Sequence, residues 1–149
     1  MAFITRHADI DAPPAKVWSI LADVRGWPRW DPDLAAMEEV SDGLVEGGTC
    51  VMALRSGLRG RTSFSGVTPE RAVDWRLEGL RGLLRAEGRL RLAPLDDEAR
   101  TRLTYDFRMH APIGSLLMVV MRKAAVHGTE ACVDGVRRLA EAETQASAS

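Results

Sequence analysis

The chain has 149 residues, with 20 basic and 21 acidic side chains and a formal charge of −1. A single domain of that length buries roughly 68–70% of its unfolded surface and needs neither metals nor disulfides to fold. The balanced charge argues against an electrostatic nucleic-acid surface, the two cysteines fit no disulfide framework or metal spacing, and the longest apolar run, Leu116 to Met121, is far short of the roughly 20 residues a membrane span requires.

The N-terminus lacks the charged-then-apolar order of a signal peptide, which places the protein in the cytoplasm. Cys50 and Cys132 fall on faces that read as apolar and are expected to act as small buried hydrophobes. Only Lys16 and Lys123 are lysines, so nearly all positive charge is arginine, much of it between Arg55 and Arg108. Because Glu and Asp alternate with it, a solvated sheet face explains this pattern better than an anion-binding surface does.

Residues 3–11 read as a strand with Ile4, Ala8 and Ile10 on one face and His7 on the other, outward one. Asp11-Ala12-Pro13-Pro14 ends it and opens a short helix to about Asp23, since proline is accepted in a first turn whose N–H groups lack helical partners. Val17, Trp18 and Leu21 form its apolar face. Trp27 and Trp30, hemmed by Pro28 and Pro32, make a rigid turn or broken helix. Such tryptophans either sit at a pocket mouth or plug the core at a domain end.

From Leu34 onward the pattern is β, with turn signals at 41–43, 47–48, 56–57, 69–70, 79–82 and 95–98. The strands these delimit lie near 35–41, 49–55, 60–68, 72–78, 84–93 and 101–109, and no spacer is long enough for a crossover, so neighbours pair antiparallel. The last three alternate strictly: Val73, Trp75, Leu77, Ala86, Gly88, Leu90, Leu103, Tyr105, Phe107 and Met109 share the dry face.

The run from Pro112 to about Glu143 reads as one helix, near 30 residues and roughly 45 Å long. Its predicted inner arc is Ile113, Leu117, Val120, Met121, Ala124, Ala125, Gly128, Ala131, Cys132, Gly135, Val136 and Leu139, with Val119, Val126 and Val133 as a thin stripe opposite. Two mid-helix glycines cost on the order of 1 kcal/mol each against alanine. They let another backbone come close, or they leave space under a helix that roofs a cavity. A sheet with one apolar face and one amphipathic helix of matching length curves around that helix, giving an α+β fold. Residues 1–143 form the domain and 144–149 a disordered tail.

The opening IDAPPAKVWSILADVRGWPRWDPDL resembles the START-like superfamily of polyketide cyclases/dehydrases and lipid-transport proteins (SRPBCC). There a strand ends in Ala-Pro, a helix carries Val-Trp and an Asp, and a Trp-x-x-Trp-x-Pro turn follows. Here these are Ala12, Pro13, Val17, Trp18, Asp23, Trp27, Trp30 and Pro32. The likeness continues through Gly48-Thr49, the Pro69 turn, the Trp75 strand and the Thr101 strand to the final helix. It implies a helix-grip fold, a seven-stranded antiparallel curved sheet wrapped around the long C-terminal helix, with two short helices after strand 1. It also implies an elongated cavity for a lipid, polyketide, sterol or other apolar molecule. The family has no universal catalytic motif.

On this reading the chain binds a small hydrophobic molecule between sheet and helix, at Trp27, Trp30, Leu54, Phe64, Trp75, Tyr105, Phe107, Leu117, Met121, Ala125 and Gly128. The alternative is a cyclase or dehydratase using the same cavity, with Tyr105 and His127 as proton donors and Arg55 polarising a carbonyl. His110, beside Pro112, reads as a loop-end residue. No cofactor, metal, nucleic acid or stable membrane insertion is expected, and the protein is a monomer or homodimer.

Overall fold

The computed structural model describes residues 2–110 and 115–148, and the side chains among them apart from those of 2, 115–118, 121 and 148. Seven strands form one antiparallel sheet: β1 (Ala2–Ile10), β2 (Leu34–Glu38), β3 (Thr49–Leu54), β4 (Arg59–Thr68), β5 (Ala72–Gly79), β6 (Leu84–Leu95) and β7 (Arg100–His110). Their order is β1-β7-β6-β5-β4-β3-β2. The hairpin chain β2 to β7 follows from the short turns, and β1 closes the sheet by pairing with β7 over its full length, Ala2 opposite Met109 and Ile10 opposite Thr101.

Because β1 and β2 lie on opposite edges, the segment between them must cross the open side of the curved sheet. It does so as helix α1 (Pro14–Ala22) and a 3₁₀ turn over Val24–Arg29. Pro14 occupies the first turn of α1, where its missing N–H costs nothing. Pro14, Val17, Ile20 and Leu21 are buried, followed by Val24 and Trp27. The concave face is apolar, carrying Phe64, Val73, Trp75, Leu77, Leu90, Leu103 and Tyr105. Its convex face is laced with ion pairs such as Arg102 to Asp9 and Arg91 to Asp74. Exposed pairs of this kind contribute about 0–1 kcal/mol each, so the dry face carries the stability.

Helix α2 (Ser115–Ala148) packs against β1, β7 and α1. The seated residues are Gly128, Thr129, Cys132, Val133, Gly135, Val136 and Ala140. This departs from the predicted arc in two ways. Val133, assigned by periodicity to the outer stripe, is buried, whereas Val120 and Ala124, assigned inward, are exposed. The helix lies toward the β1 edge, clipped there by Arg6 to Glu130 at 3.0 Å and by the Asp11 amide donating to Glu141 at 2.9 Å. Its buried face is therefore turned toward that edge. The expected tail is also corrected: residues 144–148 continue the helix, with the Thr144 hydroxyl donating to the Ala140 carbonyl at 2.7 Å. Of the predicted start at Pro112, residues 111–114 lie outside the described residues.

Candidate functional site

Strict alternation along β5, β6 and β7 aims Trp75, Tyr105 and Phe107 at the concave side, where their rings meet. The Trp75 and Phe107 centroids are 6.1 Å apart, and those of Tyr105 and Phe107 6.4 Å. Trp75 lies across Gly88 of the neighbouring strand, where any Cβ would overlap the indole. A glycine in mid-strand weakens a sheet; here it makes room for a bulky ring.

The second wall comes from the segment after the 3₁₀ turn. The amides of Trp30 and Asp31 both donate to the Trp27 carbonyl at 3.0 Å, and the Asp33 amide donates to Asp31 Oδ1, also at 3.0 Å. This turn lies on α2. A Cβ at Gly135 would stand 2.5 Å from the Trp30 carbonyl oxygen, and one at Gly128 2.6 Å from Asp33 Oδ2. The helix glycines therefore admit a close neighbour. Of the two explanations for the small-residue stretch, close approach holds at both positions, and neither glycine leaves room for a guest.

Between these walls lies a group of polar side chains in an apolar setting. Burial pushes the Asp31 carboxyl up to about 6, helped by the charge of Asp33 and opposed by the Asp33 amide and the Cys132 thiol. Burial likewise raises Cys132, and the neighbouring Asp31 adds to it. Tyr105 is driven well above the ordinary phenol value, first by burial and then by the charges of Cys132 and Asp31, with Trp75 acting against them. Desolvation thus disfavours the charged form of three ionisable groups at once, Asp31 being the least enclosed of them.

Two donors here are unsatisfied among the described residues. The indole N–H groups of Trp30 and Trp75 are buried and meet no acceptor there at hydrogen-bond geometry, although Trp75 faces the Tyr105 phenol. Trp27, by contrast, donates to the Leu21 carbonyl at 2.8 Å.

The predicted site residues divide. Trp75, Tyr105 and Phe107 belong to this concave group, whereas the Trp30 ring packs on Trp27, their centroids 5.1 Å apart. Trp27 and Phe64, 1% exposed each and 5.6 Å apart, plug the core beneath the group. Leu54 is half-buried at the end of β3, and Ala125 is half-buried and accepts the Thr129 hydroxyl. Gly128 is occupied by Asp33. The side chains of Leu117 and Met121 lie outside the described residues. Two of the catalytic candidates stand elsewhere than expected. Arg55 is exposed, and its amide donates to the Asp33 carbonyl; His127 is exposed in a surface groove of about 550 Å³ along α2. Asp31 was missed by sequence reasoning. Its position inside the Trp-x-x-Trp-x-Pro turn was the available signal, since a carboxylate set between a tryptophan and a proline in a tight turn is easily cut off from water. Among the described residues no group of three His, Cys, Asp or Glu is placed to hold a metal, and no helix is long and apolar enough to cross a membrane.

Residues 1–141 match the model of a family described as polyketide cyclase / dehydrase and lipid transport. No curated protein sequence matches the chain. Among solved structures, the fold is similar to a START superfamily protein from Mycobacterium smegmatis at 16% identity and a TM-score of 0.73, covering 95% of this chain and 98% of that one. It is likewise similar to the Thermus thermophilus protein TTHA0849 at 18% identity, TM-score 0.75 and the same coverages. A hypothetical protein, jhp0584 of Helicobacter pylori, aligns at 16% identity and a TM-score of 0.78, over 93% of this chain and 87% of its own. Identities this low speak to the helix-grip fold alone.

Proposed function

Because the chain belongs to the polyketide cyclase / dehydrase and lipid transport family, we propose that it binds a small hydrophobic molecule, a lipid, polyketide or aromatic, on the concave wall of Trp75, Tyr105 and Phe107 beneath α2. The observation that carries this reading is the pair of buried indole N–H groups without acceptors among the described residues. An unsatisfied buried donor costs about 1–3 kcal/mol, and such groups call for a partner. A guest bearing a carbonyl, hydroxyl or carboxyl oxygen would supply one, while its apolar body gains roughly 25 cal/mol per Å² removed from water.

Native mass spectrometry of protein purified from its own host tests this directly, the expected result being a co-purifying apolar molecule. Trp75→Phe, which keeps the ring and removes the N–H, should weaken binding of an oxygen-bearing guest about tenfold. Absence of any adduct, together with no saturable uptake of fatty acids or polycyclic aromatic ketones, would sink the proposal.

A second reading, a cyclase or dehydratase, is favoured by Asp31. A carboxyl titrating near 6 beside a buried phenol holds a proton close to neutral pH and suits general acid work. Loss of turnover in Asp31→Asn and Tyr105→Phe on a poly-β-ketone, with guest binding retained, would establish it.

A further inference from the structure

The strand registers collect one set of features at a single end of the molecule. Gly79 pairs with both Gly60 and Leu84, Arg85 with His110, and Met109 with Ala2. The β5–β6 tip, the β3–β4 turn, the last residues of β7 and the first of β1 therefore lie together. The start of α2, Ser115, is five positions beyond His110, a reach of at most about 18 Å.

Among the described residues, most of the large exposed apolar side chains are found there. Leu80 and Leu83 on the tip are 54% and 60% exposed, and Val119 and Val120 on α2 are 55% and 58%. The tip is also strained. Leu80 and Arg81 both adopt left-handed backbone, with φ of 50° and 55°, a conformation that bulky side chains avoid unless something else requires it. Its effect is to stand two leucines outward around an arginine.

The charge at this end is one-sided. Arg55, Arg81, Arg85, Arg122 and Lys123 are exposed, and among the described residues none is in an ion pair. Against them stand Glu78 and Asp33. Exposed Asp42, Glu46, Glu70, Asp96, Asp97 and Glu98 occupy the turns at the opposite end, where Asp96 and Glu98 are ion-paired with Arg100 and Arg71.

We propose that this end docks on an anionic lipid bilayer, with Leu80 and Leu83 entering the acyl boundary and the ring of basic side chains lying at the phosphates. Interfacial binding draws on both terms, buried apolar area and attraction to anionic headgroups. The shape selects this partner. An acidic protein or a nucleic-acid duplex would satisfy the arginines but leave leucines on a narrow hairpin tip in water, whereas a fluid bilayer closes around them.

The test is co-flotation of the whole protein with vesicles of equimolar phosphatidylglycerol and phosphatidylcholine, compared with phosphatidylcholine alone. Binding to the anionic vesicles only, falling as salt is raised, is expected. Leu80→Ser combined with Leu83→Ser should weaken it about tenfold or more, and Arg81→Glu with Arg85→Glu at least as much. All four positions are exposed, so circular dichroism should show the fold retained. A Leu83→Cys variant carrying an environment-sensitive fluorophore provides a second measurement, because Cys50 and Cys132 are buried and the label reports this position alone; its emission should shift to the blue on anionic vesicles. Failure to float at low salt, flotation untouched by the leucine changes, retention by DNA or an acidic protein in place of vesicles, or a dimer that dissociates in the double serine variant would each overturn the proposal.

Discussion

Asp31 shows how one side chain links the site to stability. Its carboxyl titrates near 3.8 in an unfolded chain and near 6 when folded, so the native state holds the proton more tightly. Stability falls as pH rises from about 4 to about 6, by about 2 to 3 kcal/mol, and stays lower above that. Asp31→Asn keeps an oxygen for the Asp33 amide and removes the buried charge. It should therefore gain about 2 kcal/mol in urea unfolding at pH 8 and almost nothing at pH 4; an equal gain at both would show that burial is not the cause. Tyr105 was legible in the sequence because period-two alternation fixes its face whatever the helix does. Asp31 was not, because its environment depends on α2 closing over a turn more than 90 positions away. Arg55 and His127 failed for a related reason: the first sits just past the end of β3, where alternation stops, and the second on the half of α2 that turns away from the sheet.

At the scale of elements, Gly135 sets helix propensity against packing. Glycine to alanine in a helix interior is worth about 1 kcal/mol in favour, but the new methyl would meet the Trp30 carbonyl oxygen, and backbone held by two amide bonds to the Trp27 carbonyl has little freedom to yield. Crowding of this kind costs about 1–3 kcal/mol, so Gly135→Ala should lower the melting temperature. A rise would mean that the turn can slide. Turn residues marked every hairpin, and the strands fall within a few positions of where those marks put them, because each antiparallel link is local. The helix face was misread by roughly a residue's rotation. Its side chains between Val119 and Ala142 are small or charged over long stretches, and where no large residue dominates an arc, the direction of burial is settled by the partner rather than by the pattern.

For the whole molecule, the helix-grip arrangement followed from counting elements and matching the dry face of the sheet to one long amphipathic helix. The distribution of charge along the grip did not, since residues far apart in the chain share an end only once the registers are known. Arginines without an ion pair among the described residues collected at one end, against turn carboxylates only partly matched by Arg71 and Arg100 at the other, give a particle of near-zero formal charge a permanent dipole. Chromatography makes this visible. At neutral pH and low ionic strength the protein should be retained by both a sulfonate resin and a quaternary-amine resin, adsorbing head-on to one and tail-on to the other. Arg81→Glu with Arg85→Glu should abolish the first retention while strengthening the second.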